Sequence, residues 1–324
     1  MNRILFTCGD INGIGPEIVV KTLNRISSRR NKHIFIVPGN VFRDTIKLIP
    51  AEFSYDFNNR SISDNSVVTV LDIGEAGQKT GEPTAESGRV SFSAIRKSFE
   101  YLNSKKADAV VTAPISKTAL LKAKINYPGH TEMFASWCDT ENFVMMFLSR
   151  KLNIALLTIH EPIAAVPALI NKKMIKAKTE VVINTLQNDL GIHKPGVAVL
   201  GMNPHAGEGG RIGKEEMKII SPALVELRKK YNLAGPFPAD AFFANKMYRN
   251  FDAVISMYHD QALIPFKLLN FHSGVNYTAG LSVVRTSPDH GVAYDIAGKA
   301  NADESSMVSA YNYALKILRN RNKL

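Results

Sequence analysis

The sequence predicts an α/β fold with a mostly parallel sheet, on three observations. Short, near-continuous apolar runs recur along the chain, as expected of strands buried on both faces. Between several of them lie segments whose apolar residues repeat at helical spacing. No internal repeat or low-complexity tract breaks the alternation, and such alternation is the pattern of a sheet covered by helices on both sides.

The elements follow in order. RILFTC, HIFIVPG, SVVTVLDIG and ADAVVTAPI read as the first strands. After Pro16, a residue suited to a helix's first turn, Ile18, Val19, Leu23 and Ile26 share one face. Phe92, Ile95, Phe99 and Leu102 mark a second helix, and Met307, Val308, Tyr311, Leu315 and Leu318 a closing one. FVMMFLSRKLNIALLTIH departs from the alternation: two apolar runs joined by a basic turn, Ser149 to Asn153, predict a hairpin. GVAVLGM, DAVISMYH and GLSVVRT are the later strands. The Gly-rich stretch from Gly74 to Arg89 reads as a long functional or mobile loop.

A chain of 324 residues exceeds the usual single domain, and the hairpin marks a second subdomain in the middle of the chain. The expected division is 1–126 with 266–324 as one discontinuous subdomain, and 127–265 as the other, carrying the hairpin. No apolar run approaches the ~20 residues of a membrane span. The opening MNRILFTCGD is too short in apolar core for a signal peptide, so a cytoplasmic protein is expected. Cys8 and Cys138 form no CxxC pair and read as small core hydrophobes. A net charge of +11 favours anionic partners. The basic patches at Arg29 to Lys32, Lys172-Lys173 and Arg319 to Lys323 lack interleaved aromatics and read as solvated faces, not as a nucleic-acid surface.

Three of the eight histidines, His160, His205 and His259, stand where an apolar run ends. In an open α/β sheet, ligands bind beyond the carboxyl ends of the strands. Three imidazoles there describe an open, catalytic divalent-metal site, whereas each alone describes a hydrogen-bonded core or surface histidine. GDINGIGPEI lacks the third glycine of GxGxxG, so the classical dinucleotide fingerprint is absent. HAGEGGRIGKEE is a second Gly-rich loop, an anion cradle or a turn capped by Gly213. Ser116 of TAPISK reads as an N-cap. His130 and Thr131 follow a Pro-Gly turn where they could meet a phosphate or cap a helix. Lys267, Asn276 and Arg285 add a cation, an amide and a guanidinium suited to phosphate or carboxylate.

Taken together and in order, GDINGIGPE, TAPISK, YPGHTEMFA, NPHAGEGG, GPFPAD, YHDQALIPFK, GVNYTAGLSVVRTSPDHG and AGKANADESSM resemble the 4-hydroxythreonine-4-phosphate dehydrogenases of vitamin B6 biosynthesis. The resemblance implies two α/β/α subdomains around a cleft, as in the isocitrate and isopropylmalate dehydrogenases, in a homodimer with shared active sites. It implies one divalent ion (zinc, cobalt or magnesium) on His160, His205 and His259, with one of the three supplied by the partner. Substrate contacts map to His130, Thr131, Lys267, Asn276 and Arg285. The implied chemistry is NAD- or NADP-dependent oxidation of 4-phosphooxy-threonine at C3, then decarboxylation. Lys267 is carried over as a catalytic group, and Asp240 and Asp260 are the candidates for taking the hydroxyl proton or supporting a histidine. The chain departs from the pattern at Ile11, Glu161 and Ala262, where proline, an apolar residue and glycine are usual. These leave open a second substrate class, phosphorylated sugar acids such as threonate 4-phosphate or erythronate 4-phosphate. A three-histidine hydrolase or lyase working without nicotinamide is a further alternative.

Overall fold

The computed structural model describes residues 1–27, 31–58, 66–270 and 272–323. Arg29 and Arg30 of the first basic patch lie outside them. In chain order the elements are β1 (Arg3–Thr7), α1 (Gly15–Ile26), β2 (Lys32–Val37), α2 (Gly39–Leu48), β3 (Tyr55–Asn58), β4 (Val68–Asp72), α3 (Ala85–Asn103), β5 (Ala109–Thr112), α4 (Lys117–Lys122) and α5 (His130–Trp137). There follow β6 (Val144–Leu148), β7 (Ile154–Leu156), α6 (Val166–Leu169), α7 (Lys172–Asn184), β8 (Gly196–Leu200), α8 (Ser221–Leu227), β9 (Asn232–Phe237) and α9 (Ala239–Ala244). The chain closes with β10 (Ala253–Ser256), α10 (His259–Asn270), β11 (Val275–Ala279), β12 (Val284–Pro288) and α11 (Ser305–Arg321).

The chain forms two compact units, Met1–Asp139 with Leu281–Leu318, and Thr140–Gly280 with Arg319–Leu324. The sequence reading draws the exchange near 126 and 265; in the fold it falls later at both places. Helix α5 stays with the first unit because Phe134 and Trp137 pack on Phe99 of α3 at ring separations of 6.0 and 5.4 Å. Strand β11 belongs to the second because it runs antiparallel to β6 with Asn276 opposite Phe147.

In the first unit the strand order is β3-β4-β2-β1-β5-β12, all parallel. Apart from the edge strand β3, its strands are largely buried on both faces, and Ile18, Val19, Leu23 and Ile26 of α1 are fully buried, as their spacing predicts. Pro16 occupies the first turn of α1, and Ser116 caps α4 by accepting from the Ala119 amide at 3.2 Å. The stretch 74–89 is tied down: Asn12 Oδ1 accepts from the Lys79 amide, and Gln78 Nε2 donates to the Ile11 carbonyl, both at 2.8 Å. Thr84 and Ser87 close it with a reciprocal capping box at the start of α3.

In the second unit the order is β11-β6-β7-β10-β8-β9. Strands β6 and β7 form the predicted hairpin, pairing Met146 with Ala155 and Phe147 with Ile154. Beyond β7 the sheet is parallel through β10, β8 and β9. Its core gathers Phe147, Ile154, Leu156, Leu200, Phe242, Val254, Leu263 and Phe266. One expectation fails here. Arg321 of the last basic patch is not a solvated residue: its Nε donates to Asp189 Oδ1 at 2.6 Å, and its guanidinium also donates to the buried Tyr277 hydroxyl at 3.0 Å. Asp189 is a buried carboxylate that needs a cation, a demand invisible in the local sequence. Among the described residues, no helix is long and apolar enough to cross a membrane.

Candidate active site

Because β7, β10 and β8 are adjacent and parallel, their carboxyl ends lie on one edge of the second unit's sheet. His160, His205 and His259 all follow those ends. The His160 and His259 rings stand 5.8 Å apart, centroid to centroid. Two imidazoles bound to one ion at about 2.0–2.1 Å with a tetrahedral angle would have centroids roughly 5 Å apart, so the pair suits a common metal. Nitrogen donors of this kind favour zinc or cobalt over magnesium. Among the described residues of the single chain, no three His, Cys, Asp or Glu side chains gather as a metal-binding group. His205 is exposed on its own loop.

Several contacts hold the pair. Thr158 donates its hydroxyl and its amide to the Met257 carbonyl, at 2.7 and 3.2 Å, locking the end of β7 to that of β10 two residues before each histidine. The His259 Nδ1 meets Asp260 Oδ1 at 2.7 Å, which leaves Nε2 as the coordinating nitrogen if the ring is neutral. Lys178 donates to the Leu157 carbonyl at 2.6 Å, and burial pulls its ammonium below the ordinary lysine range. Asp240, at the start of α9, is exposed beside a cavity of about 330 Å³ that it lines with Phe243, Tyr258, Asp260, Ile264 and Leu268. Lys267 is exposed on α10, and Asn276 is half-buried on β11.

The first unit holds a second group of predicted residues. Arg285, on β12, is 2% exposed. Its Nε and one terminal nitrogen donate to the Thr112 hydroxyl at 3.1 and 3.0 Å, and that terminal nitrogen also reaches Ser287 Oγ at 2.8 Å. Burial among hydroxyls lowers its pKa to about 9, with Glu132 pulling the other way; the guanidinium stays charged at neutral pH. His130 opens α5, and Thr131 beside it is buried. The His130 residue keeps partial exposure, yet its Nε2 is buried and has no hydrogen-bond partner among the described residues. Desolvation, and then the Arg285 charge, hold the ring well below the usual histidine range, so it is neutral at physiological pH. A neutral imidazole with an unmatched buried nitrogen, beside a desolvated guanidinium, has the chemistry to accept an anionic group that brings its own oxygen atoms.

The structure also shows polar groups that sequence reasoning passes over. Asp10, inside GDING, is fully buried and accepts from the Asn12 amide, Ser87 Oγ and Tyr294 Oη at 2.9, 3.0 and 2.9 Å. Burial raises its pKa against those three hydrogen bonds. Gln261 and Glu216 hold the loop of His205. Gln261 stands inside the YHDQ motif and was there to be seen. Glu216 carries no signal beyond following a Gly-rich loop. Cys8 is wholly buried and its thiol is pushed far up by desolvation, the behaviour of an inert core residue.

The chain is similar to known proteins along nearly its whole length. A 4-hydroxythreonine-4-phosphate dehydrogenase of Prosthecochloris aestuarii is 39% identical over 335 residues, spanning 99% of this chain and 98% of the relative. A protein of Oceanobacillus iheyensis named as a candidate D-threonate 4-phosphate dehydrogenase is 37% identical over 320 residues, 96% of each chain. The crystal structure of the Klebsiella pneumoniae 4-hydroxythreonine-4-phosphate dehydrogenase superposes with a TM-score of 0.83 at 33% identity, covering 98% of this chain and 100% of that one. An isocitrate dehydrogenase from Methylococcus capsulatus shares the fold alone, at a TM-score of 0.52 and 12% identity over 99% of this chain and 87% of its own. The family described as "Pyridoxal phosphate biosynthetic protein PdxA" matches residues 29–314, and this chain belongs to that family.

Proposed function

We propose that this protein oxidises 4-phosphooxy-L-threonine at C3 with NAD or NADP and releases CO2 to give 3-amino-2-oxopropyl phosphate, a step toward pyridoxal phosphate. The observation that carries the reading is the His160–His259 pair, delivered by two parallel strand ends in a chain that matches dehydrogenases of this name end to end. His160, His205 and His259 would hold the divalent ion. When bound, the ion supplies a Lewis acid for the C3 oxygen and for the carbanionic charge left by decarboxylation, and nicotinamide supplies a hydride acceptor.

The chain's own groups bind, orient and move protons. Arg285, already desolvated and held by two hydroxyls, offers a charged fork to a phosphate or carboxylate without first shedding water. His130 donates from Nε2 to the same class of oxygen and remains neutral while doing so. Lys267 and Asn276 contribute a cation and an amide, and their worth lies in orientation. Asp260 serves His259 through Nδ1, fixing its tautomer. That leaves Asp240 as the carboxylate with no such task, and we assign it the hydroxyl proton.

A homodimer with shared sites completes the reading. Ile264 and Leu268 of α10 are 60% and 83% exposed, a few residues from His259, and with Phe243 and Tyr258 they form an apolar face where a second copy would sit and lend its histidine. NADH formation from 4-phosphooxy-threonine, measured beside threonate 4-phosphate and erythronate 4-phosphate, tests the assignment. Turnover of only the sugar acids would move the protein to that branch, and metal-dependent turnover without NADH would overturn the dehydrogenase reading.

A further inference from the structure

The loop between β8 and the one-turn π-helix Glu216–Ile220 contains five consecutive residues in left-handed backbone: His205 (φ 51°), Ala206 (50°), Gly207 (80°), Glu208 (42°) and Gly209 (64°). Three of the five carry side chains, which pay a steric cost in that conformation. A run like this persists only where its surroundings over-determine it.

The surroundings converge on one carboxylate. Glu216 is 5% exposed. Its Oε1 accepts from the Met202 and Asn203 amides at 2.7 and 2.8 Å, and its Oε2 accepts from Asn203 Nδ2 at 2.9 Å. The same side-chain amide donates to Glu215 Oε2 at 2.7 Å. The glycines of the loop make room for this group: a Cβ on Gly201 would stand 3.1 Å from Glu216 Oε1, and one on Gly207 would stand 2.6 Å from Oε2. The chain is thus wrapped on the carboxylate, with His205 thrown outward. Gln261 then ties the base of the loop to the next strand end, accepting from the Met257 amide at 2.8 Å and donating to the Gly201 carbonyl at 2.5 Å.

We propose that Glu216 is a positioning residue for the metal site: it anchors the left-handed turn that presents His205, and Gln261 sets that turn in register with the strand end that delivers His259. The inference rests on His205 being a ligand. It assigns to a buried acid, seven residues past the left-handed run and bonded to the backbone just before it, the task that Asp260 performs directly for His259.

The test uses the full-length protein stripped of metal and titrated with cobalt(II), read by its d–d absorption, with hydrogen exchange at the Met202 and Asn203 amides as a readout independent of metal. Glu216→Gln presents an amide to the Asn203 amide, replacing an acceptor with a donor. The expected result is a cobalt affinity about 10–100-fold weaker, a changed d–d band and faster exchange at both amides. Wild-type cobalt affinity and spectrum in Glu216→Gln, alongside a weakened His205→Ala, overturn the positioning role and leave the ligand assignment standing. Wild-type cobalt binding by His205→Ala overturns the ligand assignment and the proposal with it. Should Glu216→Gln fail to fold, Gly207→Ala decides, because its Cβ displaces the carboxylate without removing it; the same losses are expected, and unchanged cobalt binding overturns the role.

Discussion

The guanidinium of the first unit and the imidazoles of the second would meet their proposed ligands in opposite ways. Arg285 is buried, held by side-chain hydroxyls and already desolvated, so its binding energy was spent in folding. His160 and His205 are exposed and His259 half-buried; what folding fixes there is the backbone beneath them, through Thr158, Gln261 and Glu216. An anion must be met by charge that water no longer screens. A metal ligand needs only a free lone pair on a backbone that does not move. Buried charge and anchored backbone are two forms of preorganisation, and they fail differently when altered.

The largest effect should come from the second unit. His160→Ala and His259→Ala each remove a proposed donor to an ion that would contribute several kcal/mol to the reaction, so turnover should fall by more than about a thousandfold with little change in thermal stability. Steady-state kinetics under saturating metal, beside thermal melts, check this; retained turnover would break the contrast. Next in size, Arg285→Met should weaken substrate binding by about 2–5 kcal/mol, seen in KM, while melting temperature stays equal or rises because a desolvated cation has been removed. A melting temperature that falls sharply would show that Arg285 is structural.

Asp260→Asn should cost about tenfold in metal affinity, less than loss of a ligand, because the carboxylate is 68% exposed and only orients the ring. Competition with a chromophoric chelator measures it. The smallest effect is in the pH dependence of stability. His130 is neutral in the folded protein, with its pKa depressed, whereas the unfolded chain protonates near 6.5. The unfolded state therefore binds more protons below that value, and stability present above pH 6.5 is lost as pH falls, at up to about 1.4 kcal/mol per unit. His130→Gln should flatten that slope in urea titrations between pH 7.5 and 5.5, and an unaltered slope would place the linkage elsewhere.

Much of this was legible in the chain. Nine apolar runs were each found as strands, because strands buried on both faces must be continuously apolar. The three that escaped notice lack that signature for separate reasons. Strand β3 alternates exposed and half-buried residues, YDFN. Strand β9 carries Gly235-Pro236, residues that argue against a strand, within NLAGPF. Strand β11 mixes Asn and Thr into VNYTA, so its apolar run is broken. Candidate site residues were legible where they belong to short motifs at strand ends, as with His259 in YHDQ. Glu216, Thr158 and Lys178 were not, since each acts on a backbone group far away in sequence and nothing local marks it.

The sequence by itself determined the α/β class, the hairpin that interrupts it, the family, and the strand-end placement of His160, His205 and His259. These depend on periodicity and motif, which are local and therefore written in order along the chain. Tertiary structure alone decided that α5 packs with the first unit, that Arg321 is consumed by a buried Asp189, and that a left-handed turn is wound on Glu216. Each of those depends on burial and hydrogen-bond satisfaction between residues distant in sequence, quantities that exist only once the chain has closed on itself.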